Sequence, residues 1–325
     1  MILEQPSVRF EAIHSILSSD GNILTVSELC ETAGVSRPGY YRWLSAAGTR
    51  EKREAGDRED FELILKAYRH RGYQKGARSI YMSLLHRNPP VVMNVKKIRR
   101  LMDKYGLSCP IRKANPYRRM AKALRTSNAA DNLLKREFQK YGPRTVLLTD
   151  ITYLPYNGTF ACLSVILDAF TKQVLAYVTS PSLEAGFVLE TVDILISSHG
   201  AELKTKTLLH SDQGCHYTSC SYIDILKDNS LRQSMSGKGN CWDNAPQESF
   251  FGHMKDEIDI SGCQTFDEVK AVTDDWMDYY NNERYQWQLA RLVPNEYYQY
   301  IMTGEYPLPV ENIPPIPEYE EPNDN

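Results

Sequence analysis

Residues 146–178 read VLLTDITYLPYNGTFACLSVILDAFTKQVLAYV, and this stretch decides the fold. It opens with a short apolar run at 146–150, and residues 160–166 and 174–178 alternate apolar and polar side chains, as strands do. Asn157 and Gly158 lie between the first two runs and are a typical hairpin turn. The stretch therefore predicts three successive antiparallel strands.

Downstream, apolar periodicity predicts helices and strands in alternation. The predicted elements are a helix over 182–198, a strand over 207–209, a helix over 219–227, a strand over 231–234 and a helix over 245–258. This β-β-β-α-β-α-β-α order is that of a ribonuclease-H-like α/β fold, in which acidic residues at strand ends meet one from a helix. A further helix is predicted over 265–281, and the segment 307–325, rich in Pro and Glu, is predicted to be a disordered tail.

Upstream of the sheet, residues 1–50 predict a helix-turn-helix. Residues 25–33 form the first helix, Gly34-Val35 the turn, and Ser36 caps a second helix that has Pro38 in its first turn. On or near the second helix lie three candidate DNA-binding side chains: Arg37, Tyr40 and Tyr41. The alternative is that Tyr40, Tyr41 and Trp43 are core aromatics of a small helical unit.

Residues 51–125 predict a second, basic helical DNA-binding region. A charged helical linker over 51–60 precedes three helices between Phe61 and Tyr105, and residues 110–125 predict an extended cationic arm. The third helix opens at Asn94, carries its apolar residues on one side and ends at Gly106. Its other sides carry the candidate DNA contacts Lys96, Lys97, Arg99 and Arg100.

The charge of the chain divides into two halves of opposite sign. Residues 1–125 hold 24 Lys and Arg against 12 Asp and Glu, a net +12, whereas residues 126–325 hold 14 against 29, a net -15. Between Leu63 and Arg125 there are 17 basic residues and one acidic residue, which favours a polyanion partner over a merely solvated face. The acidic half suits carboxylates that hold metal ions.

Composition excludes several other classes of protein. The seven cysteines are odd in number and never form a C-x-x-C pair, so neither a disulfide framework nor a zinc knuckle is indicated and reduced thiols are expected. No segment approaches the roughly 18 uncharged apolar residues of a membrane span. We expect a globular cytoplasmic protein without a membrane partner.

Three acidic residues form the candidate catalytic and metal-binding set. Asp150 ends the first predicted strand, Asp212 follows the fourth, and Glu248 lies one turn into the helix that begins near Asn244. Two adjacent strand ends and a facing helix bring three carboxylates together, and two divalent cations neutralise their repulsion. Ligation by oxygen alone favours two Mg²⁺ ions, or Mn²⁺, over zinc.

The predicted helix over 245–258 has two distinct sides. Asn244, Glu248, Phe251 and Lys255 share one stripe, and Phe250, Met254 and Ile258 line the opposite side, so Glu248 is expected to face the cleft. Lys255 is then a candidate phosphate contact, the alternative being a solvated lysine. Asn244 is a DNA-contact candidate, or instead the helix N-cap with Gln247 as its partner three residues later.

Other polar residues near this set have two interpretations each. His210 and His216 flank Asp212 as structural hydrogen-bond donors or as acid and base groups. Asp168 is either a fourth acid or, as we prefer, a turn residue at the end of the second strand. Asp256 and Glu257 are expected to be exposed.

Two stretches of this sequence resemble the catalytic core of the insertion-sequence-three family. They are HSDQGCHYTS at 210–219 and QSMSGKGNCWDNAPQESFF at 233–251. That family belongs to the Asp-Asp-Glu superfamily of transposases and retroviral integrases. Its spacing is also matched, because 35 residues separate Asp212 from Glu248 and Lys255 follows seven residues after the Glu.

The resemblance covers nearly the whole chain. Thr149–Tyr153 resembles the family's first acidic motif, Val35–Trp43 its N-terminal helix-turn-helix and Tyr280–Arg284 its C-terminal motif. Tyr285-Gln286-Trp287 departs from the Pro-His that many relatives carry after the Arg, and no His-His-Cys-Cys zinc module is present.

The resemblance implies a transposase that cleaves at terminal inverted repeats and joins the 3′-hydroxyl to target DNA, through a circular intermediate. The core would span 126–306, and the expected partners are double-stranded DNA, other copies of the chain on that DNA, and the upstream-frame protein of the element. That protein carries a leucine zipper, which this chain lacks. Alternatives are a non-catalytic relative that occupies element ends, against which the intact acidic set argues, and an RNA-cleaving nuclease on the same fold.

Overall fold

The computed structural model of the chain describes residues 5–72, 75–110, 140–184, 186–203, 207–212, 214–236 and 245–320. The chain divides into two compact units, Met1–Lys66 and Ala67–Asn325. The predicted boundary at residue 50 thus differs from the division at Lys66, because the helix that contains residue 50 continues beyond it.

The first unit contains the predicted helix-turn-helix. Its helices are α1 (Pro6–Leu17), α2 (Val26–Thr32), α3 (Arg37–Ser45) and the first part of α4 (Ala47–Arg69). Thr25 caps α2 in a reciprocal capping box with Glu28, and the Ser36 hydroxyl accepts a hydrogen bond from Gly39 N at 3.2 Å at the start of α3. The core of this unit consists of Ile13, Leu29, Cys30 and Tyr40.

The second unit begins with the end of α4. The sequence predicted a linker over 51–60 that is separate from a helix beginning at Phe61. This was wrong, because α4 runs continuously through both. Two further helices follow, α5 (Ala77–Leu85) and α6 (Val95–Lys104). Asn94 caps α6 as predicted, accepting from Lys96 N at 2.8 Å, and the helix buries Ile98, Leu101 and Met102. Apart from Pro110, the predicted arm at 110–125 lies outside the described residues.

Five strands form the mixed sheet that the sequence predicts. They are β1 (Val146–Tyr156), β2 (Thr159–Asp168), β3 (Val174–Ser180), β4 (Leu208–Ser211) and β5 (Arg232–Met235). Their order is β3-β2-β1-β4-β5, with β1, β2 and β3 antiparallel and β4 and β5 parallel to β1. Asn157 and Gly158 have φ angles of 39° and 74°, which is the left-handed hairpin turn expected from the sequence.

Asp150 lies within β1, not at its end as the sequence suggested. The pairing of β1 with β4 stops at Leu148 and His210, but β1 continues as a hairpin with β2 up to Tyr156. The hairpin lengthens the strand beyond the short apolar run. Asp150 therefore lies where β1 and β4 separate, at the place where an opening forms between the two strands.

Helices cover both faces of the sheet. On one face pack α7 (Gly186–His199) and α8 (Cys220–Asp228), and on the other pack α9 (Ala245–Glu257) and α10 (Phe266–Asn282). The sequence did not predict the last helix, α11 (Pro294–Thr303), which packs with Phe170 and α5 in a separate apolar cluster. The arrangement is a three-layer α/β core with additional helices at one side.

The end of the chain differs from the disordered tail predicted at 307–325. Residues up to 320 lie along the core: Leu308 is 8% exposed, and the rings of Tyr319 and Phe170 are 5.3 Å apart. Glu320 N donates to Lys140 O at 2.8 Å. Spaced apolar side chains anchor this proline-rich segment, which a compositional argument does not register. Residues 321–325 lie outside the described part.

The cysteines and the helices can be compared with the expectations from composition within the described residues. Cys30, Cys109, Cys162, Cys215, Cys220 and Cys263 are free thiols. Within the described ranges, no helix combines the length and apolar character needed to cross a membrane.

Candidate active site

Asp150 is a partly buried acid in the gap between β1 and β4. It accepts a hydrogen bond from Ile151 N at 2.8 Å. Burial, together with the negative charges of Asp212 and Glu248, raises the pKa of Asp150 to about 7, while the hydrogen bond from Ile151 N and the charge of Lys255 act in the opposite sense. The carboxyl group thus lies in surroundings that disfavour its charge.

Asp212 is held by the loop that leaves β4. Its side chain is exposed, and Oδ1 accepts a hydrogen bond from Gly214 N at 2.9 Å. A Cβ atom at Gly214 would lie 2.9 Å from that same oxygen, so a larger residue here would require the Asp212 carboxylate to shift. The parallel pairing of β1 with β4 ends at Leu148 and His210, and Asp150 and Asp212 each follow two residues later, which explains why the two charges interact.

Glu248 projects from the first turn of α9 and is exposed, as predicted. The helix is oriented by its buried side chains, which include Phe250 at 3% and Met254 at 0% exposure. Phe251 was expected beside Glu248 but is 7% exposed and belongs to the same core. The apolar arc is wider than predicted because α9 packs against both the sheet and α10.

Gln247, the predicted capping partner of Asn244, bonds to the sheet instead of capping α9. Its side chain is fully buried, and Nε2 donates to Val165 O in β2 at 3.5 Å. Gln247 thus joins α9 to the sheet one residue before Glu248. Asn244, the predicted cap or DNA contact, lies outside the described residues.

Lys255 belongs to the same electrostatic group as the three acids. It lies on α9 seven residues after Glu248, and it is exposed. Partial burial lowers the pKa of Lys255, and the charge of Asp150 opposes that change. The ammonium group is therefore close enough to the acids to interact with Asp150, which favours the functional over the merely solvated interpretation.

The donor set suits a hard cation. Asp150, Asp212 and Glu248 offer carboxylate oxygens only, the ligands that Mg²⁺ and Mn²⁺ prefer. Asp212 and Glu248 both lie near enough to Asp150 for their charges to raise its pKa. Within the ranges that the structure describes, no three acidic, His or Cys side chains are already assembled as a metal-binding cluster.

Neighbouring polar residues have structural roles. Asp168 is fully buried and accepts from Phe170 N at 2.8 Å, which confirms the preferred interpretation as a turn residue. His210 is buried with Nδ1 2.9 Å from Ser234 Oγ, and His216 Nε2 lies 2.8 Å from Leu183 O. Both histidines are thus engaged by protein groups.

Tyr217 is a component that we did not single out from the sequence. Its ring is 1% exposed, and its hydroxyl lies 3.5 Å from Thr149 Oγ1, next to Asp150 in β1. Burial raises the pKa of Tyr217 well above its usual value, and the charge of Asp150 adds to the effect. The neutral phenol forms part of the wall behind the acids. Its place within the motif at 210–219 was the available signal.

The candidate DNA contacts on the first unit separate into surface and core residues. Arg37 and Tyr41 are exposed on α3. Tyr40 is 2% exposed and stacks on Trp43 with ring centroids 6.1 Å apart, so its assignment as a DNA contact was wrong and the core alternative holds. The stripe of helix α3 that faces α1 includes position 40.

The candidate contacts on α6 lie on the surface side of that helix. Lys96, Arg99 and Arg100 are exposed and Lys97 is half-buried, opposite the buried Ile98. Whether these side chains contact DNA stays a prediction.

Glu257, the last residue of α9, was expected to be exposed, and this was wrong. Its side chain is 7% exposed and forms an ion pair with Arg284 at 2.7 Å. The signal that could have found this pair is the motif at Tyr280–Arg284, which was recognised without a structural role.

Comparisons with known families match most of the described chain. The family described as "Integrase core domain" matches residues 140–241, and a second family of the same description matches residues 229–294. A family described as "HTH-like domain" matches residues 55–115. The last match includes α5 and α6, the region predicted to be a second DNA-binding module.

Several named proteins are similar to the chain. The "Putative transposase InsK for insertion sequence element IS150" of Escherichia coli is 32% identical over 275 residues, covering 84% of this chain and 93% of the relative. "Transposase InsF for insertion sequence IS3A" of the same organism is 29% identical, covering 72% and 79%. Among solved structures, a chain of the simian T-cell lymphotropic virus intasome covers 70% of this chain and 71% of its own length, with 15% identity and a TM-score of 0.41.

Proposed function

The chain belongs to the insertion-sequence-three family of transposases, and we propose that Asp150, Asp212 and Glu248 hold the divalent cations on which its DNA cleavage and joining depend. The observation that supports this assignment is the coupling of the three carboxylates: the charges of Asp212 and Glu248 both raise the pKa of Asp150. Such an arrangement of like charges is unfavourable in the protein alone and favourable with cations between them.

The reaction breaks one phosphodiester bond and forms another. In cleavage, water attacks the phosphorus at the element end and a 3′-hydroxyl leaves; in joining, that 3′-hydroxyl attacks a target phosphorus and the target's own 3′-oxygen leaves. Asp150, Asp212 and Glu248 would hold two Mg²⁺ or Mn²⁺ ions, which would supply activation of the attacking oxygen and stabilisation of the leaving one. The protein forms no covalent intermediate.

The side chains of the chain itself contribute position and charge. Asp150 extends from β1, Asp212 follows directly after the end of β4, and Glu248 extends from α9, whose neighbouring Gln247 is bonded to β2. Lys255 shares the exposed side of α9 with Glu248 and supplies a cation for the phosphate at the scissile end. A site on secondary-structure elements holds its geometry better than one on loops.

The remaining parts bind and assemble DNA. We assign the exposed cations of α6, with Arg37 and Tyr41 on α3, to backbone contacts with double-stranded DNA at the terminal repeats and target. We propose that the chain acts as an oligomer on DNA. The upstream-frame protein of the element is a further partner in this proposal.

The test is a reaction with duplexes that end in the element's own terminal repeat, labelled at the transferred strand. Nicked and joined products are expected with Mg²⁺ or Mn²⁺ and should disappear with a chelator; a duplex with a scrambled end is the control. Specific binding without products in any metal would instead identify a non-catalytic protein that occupies element ends. Products that persist in the chelator would contradict the metal assignment.

A further inference from the structure

The last residue of α9 is an acid at the end of the helix where the macrodipole favours a cation. The carboxylate of Glu257 is 7% exposed, and both of its oxygens have donors. Arg284 Nε lies 3.0 Å from each oxygen, Arg284 Nη2 lies 2.7 Å from Oε1, and Trp276 Nε1 lies 3.1 Å from Oε2. Because the helix dipole does not favour an acid at this position, the stabilisation of the Glu257 carboxylate comes from its ion pair with Arg284.

Arg284 is held by the turn that follows α10. The backbone N–H groups of Glu283 and Arg284 both donate to Tyr279 O at 2.8 Å. The guanidinium group is 15% exposed and lies 5.8 Å from the centroid of the Tyr280 ring. Arg284, whose guanidinium group bonds Glu257 at the end of α9, is therefore part of a short turn held by backbone hydrogen bonds.

The same turn is bonded to the sheet. Asn281 donates its side-chain amide to Val174 O at 2.8 Å and accepts from Val174 N at 3.0 Å, so it continues the ladder at the start of β3. Asn282 accepts from Asn295 at 2.6 Å at the start of α11. Asn281, Asn282 and Arg284 of the motif thus connect to the sheet, to α11 and to α9, respectively. Through this turn, the Arg284 contact fixes α9 relative to the sheet that carries Asp150.

Helix geometry links this contact to the active site. At about 100° per residue, Glu257 lies on the side of α9 opposite Glu248, nine residues earlier and roughly 13.5 Å away along the axis. Lys255 lies within about 20° of Glu248 by the same rule. Apolar contacts of Phe250 and Met254 tolerate a small rotation of the helix, but a two-oxygen contact with a guanidinium group does not. Any rotation that breaks the Glu257 contact turns Glu248 by the same angle.

We propose that Arg284, acting through Glu257, is a positioning residue that sets the rotation of α9 and so directs Glu248 and Lys255 at the scissile phosphate. This proposal rests on the proposed function, because it takes Glu248 as a metal ligand. It assigns a role to the C-terminal motif, which lies far along the chain from the three acids.

The experiment compares Arg284→Lys and Glu257→Gln with the wild-type chain. Lysine keeps the charge but loses the fork that contacts both oxygens, and glutamine keeps the shape but loses the charge. Arg144→Lys is the matched control, since Arg144 forms a still more buried pair with Asp168 on the sheet, away from α9. For each protein we would measure the Mg²⁺ concentration for half-maximal joining, and the rise in Tm that Mg²⁺ or Mn²⁺ produces without DNA.

We expect Arg284→Lys and Glu257→Gln each to need about tenfold more Mg²⁺ and to show a smaller metal-dependent rise in Tm. Arg144→Lys should lower Tm while keeping the wild-type Mg²⁺ midpoint. The proposal is wrong if Arg284→Lys loses joining only in proportion to its folded fraction, with an unchanged midpoint and metal-dependent rise. If that variant does not fold, Glu257→Gln decides by the same comparison. A wild-type chain without metal-dependent joining would contradict the proposed function itself.

Discussion

Asp150 and Asp168 lie on neighbouring strands of one sheet, and their carboxylates have opposite surroundings. Asp168 is fully buried and accepts hydrogen bonds from the guanidinium group of Arg144 at 3.1 Å. It also accepts from three backbone N–H groups, at 3.0, 2.8 and 3.1 Å, those of Arg144, Phe170 and Thr171. Asp150 accepts from Ile151 N, and two further acids act on it.

The difference shows that burial alone does not identify a functional acid. The chain itself supplies the donors that compensate the charge of Asp168, so this acid stabilises a turn. The pKa of Asp150 rises to about 7 because the hydrogen bond from Ile151 and the charge of Lys255 compensate only part of the effect of burial and like charges. An acid whose compensation must come from outside the protein is the better candidate for binding a cation.

The largest expected effect follows from removing one carboxylate charge of the candidate site. Asp150→Asn, Asp212→Asn or Glu248→Gln should each reduce joining by roughly a thousandfold or more, about 4 kcal/mol on the barrier, because each removes a metal ligand. Binding to labelled element ends should persist, since the basic surface is unchanged. Joining above a tenth of the wild-type rate in any of the three would refute the assignment, and Asp168→Asn, corrected for folded fraction, is the control.

The second prediction concerns stability at the other acid. Asp168→Asn leaves the Arg144 guanidinium, which is 3% exposed, without its buried counter-charge, although Glu202 still contacts its Nε at 3.0 Å. Removing one partner of a buried pair typically costs about 3–5 kcal/mol, and the Glu202 contact favours the lower end of that range. Asp150→Asn should not destabilise the metal-free protein, because it removes an uncompensated charge. Denaturant unfolding of both variants measures the contrast, and equal losses would mean that the two sites do not differ.

A third, smaller effect is a dependence of stability on pH near Asp168. Burial lowers the pKa of Lys172 to about 8, although the charge of Asp168 opposes this shift. Between pH 8 and the unfolded value of about 10.5, the unfolded chain binds one more proton than the native one, so stability rises with pH across that window. We expect a gain of about 1–3 kcal/mol, since the side chain is only half-buried. Unfolding of Lys172→Met at pH 7.5 and 10 should lack this gain; a variant with the wild-type pH slope would show that another group titrates.

The parts of the fold that sequence predicts well are those with local signals. Asn157-Gly158 specifies its hairpin by backbone conformation, and Thr25, Ser36 and Asn94 specify helix starts by hydrogen bonds to nearby N–H groups. Each of these signals acts within a few residues. The order of strands and helices follows from such local elements.

The errors occur where distant residues decide the environment. β1 extends past Asp150 because of its pairing with β2, and Glu257 is buried because Arg284 reaches it from beyond α10. Tyr40 could be assigned to the core only once α1 was known to cover it. Periodicity along one helix cannot show how many partners that helix has, which is why Phe251 was placed on the wrong side of α9.

The smallest expected effect is that of Lys255, whose charge acts on Asp150. Lys255→Gln should change stability by no more than about 0.5 kcal/mol, because the side chain is exposed. It should lower joining about tenfold and weaken binding of cleaved ends equally for unrelated flanking sequences, since a phosphate contact carries no base information. Lys227 is the matched control, as it is also exposed in the last turn of its helix, and Lys227→Gln should leave joining unchanged. Joining yields with two unrelated flanks, beside melting curves, make the measurement. A loss confined to one flank would mean that Lys255 reads bases, and unchanged joining with both flanks would make it a solvated lysine after all.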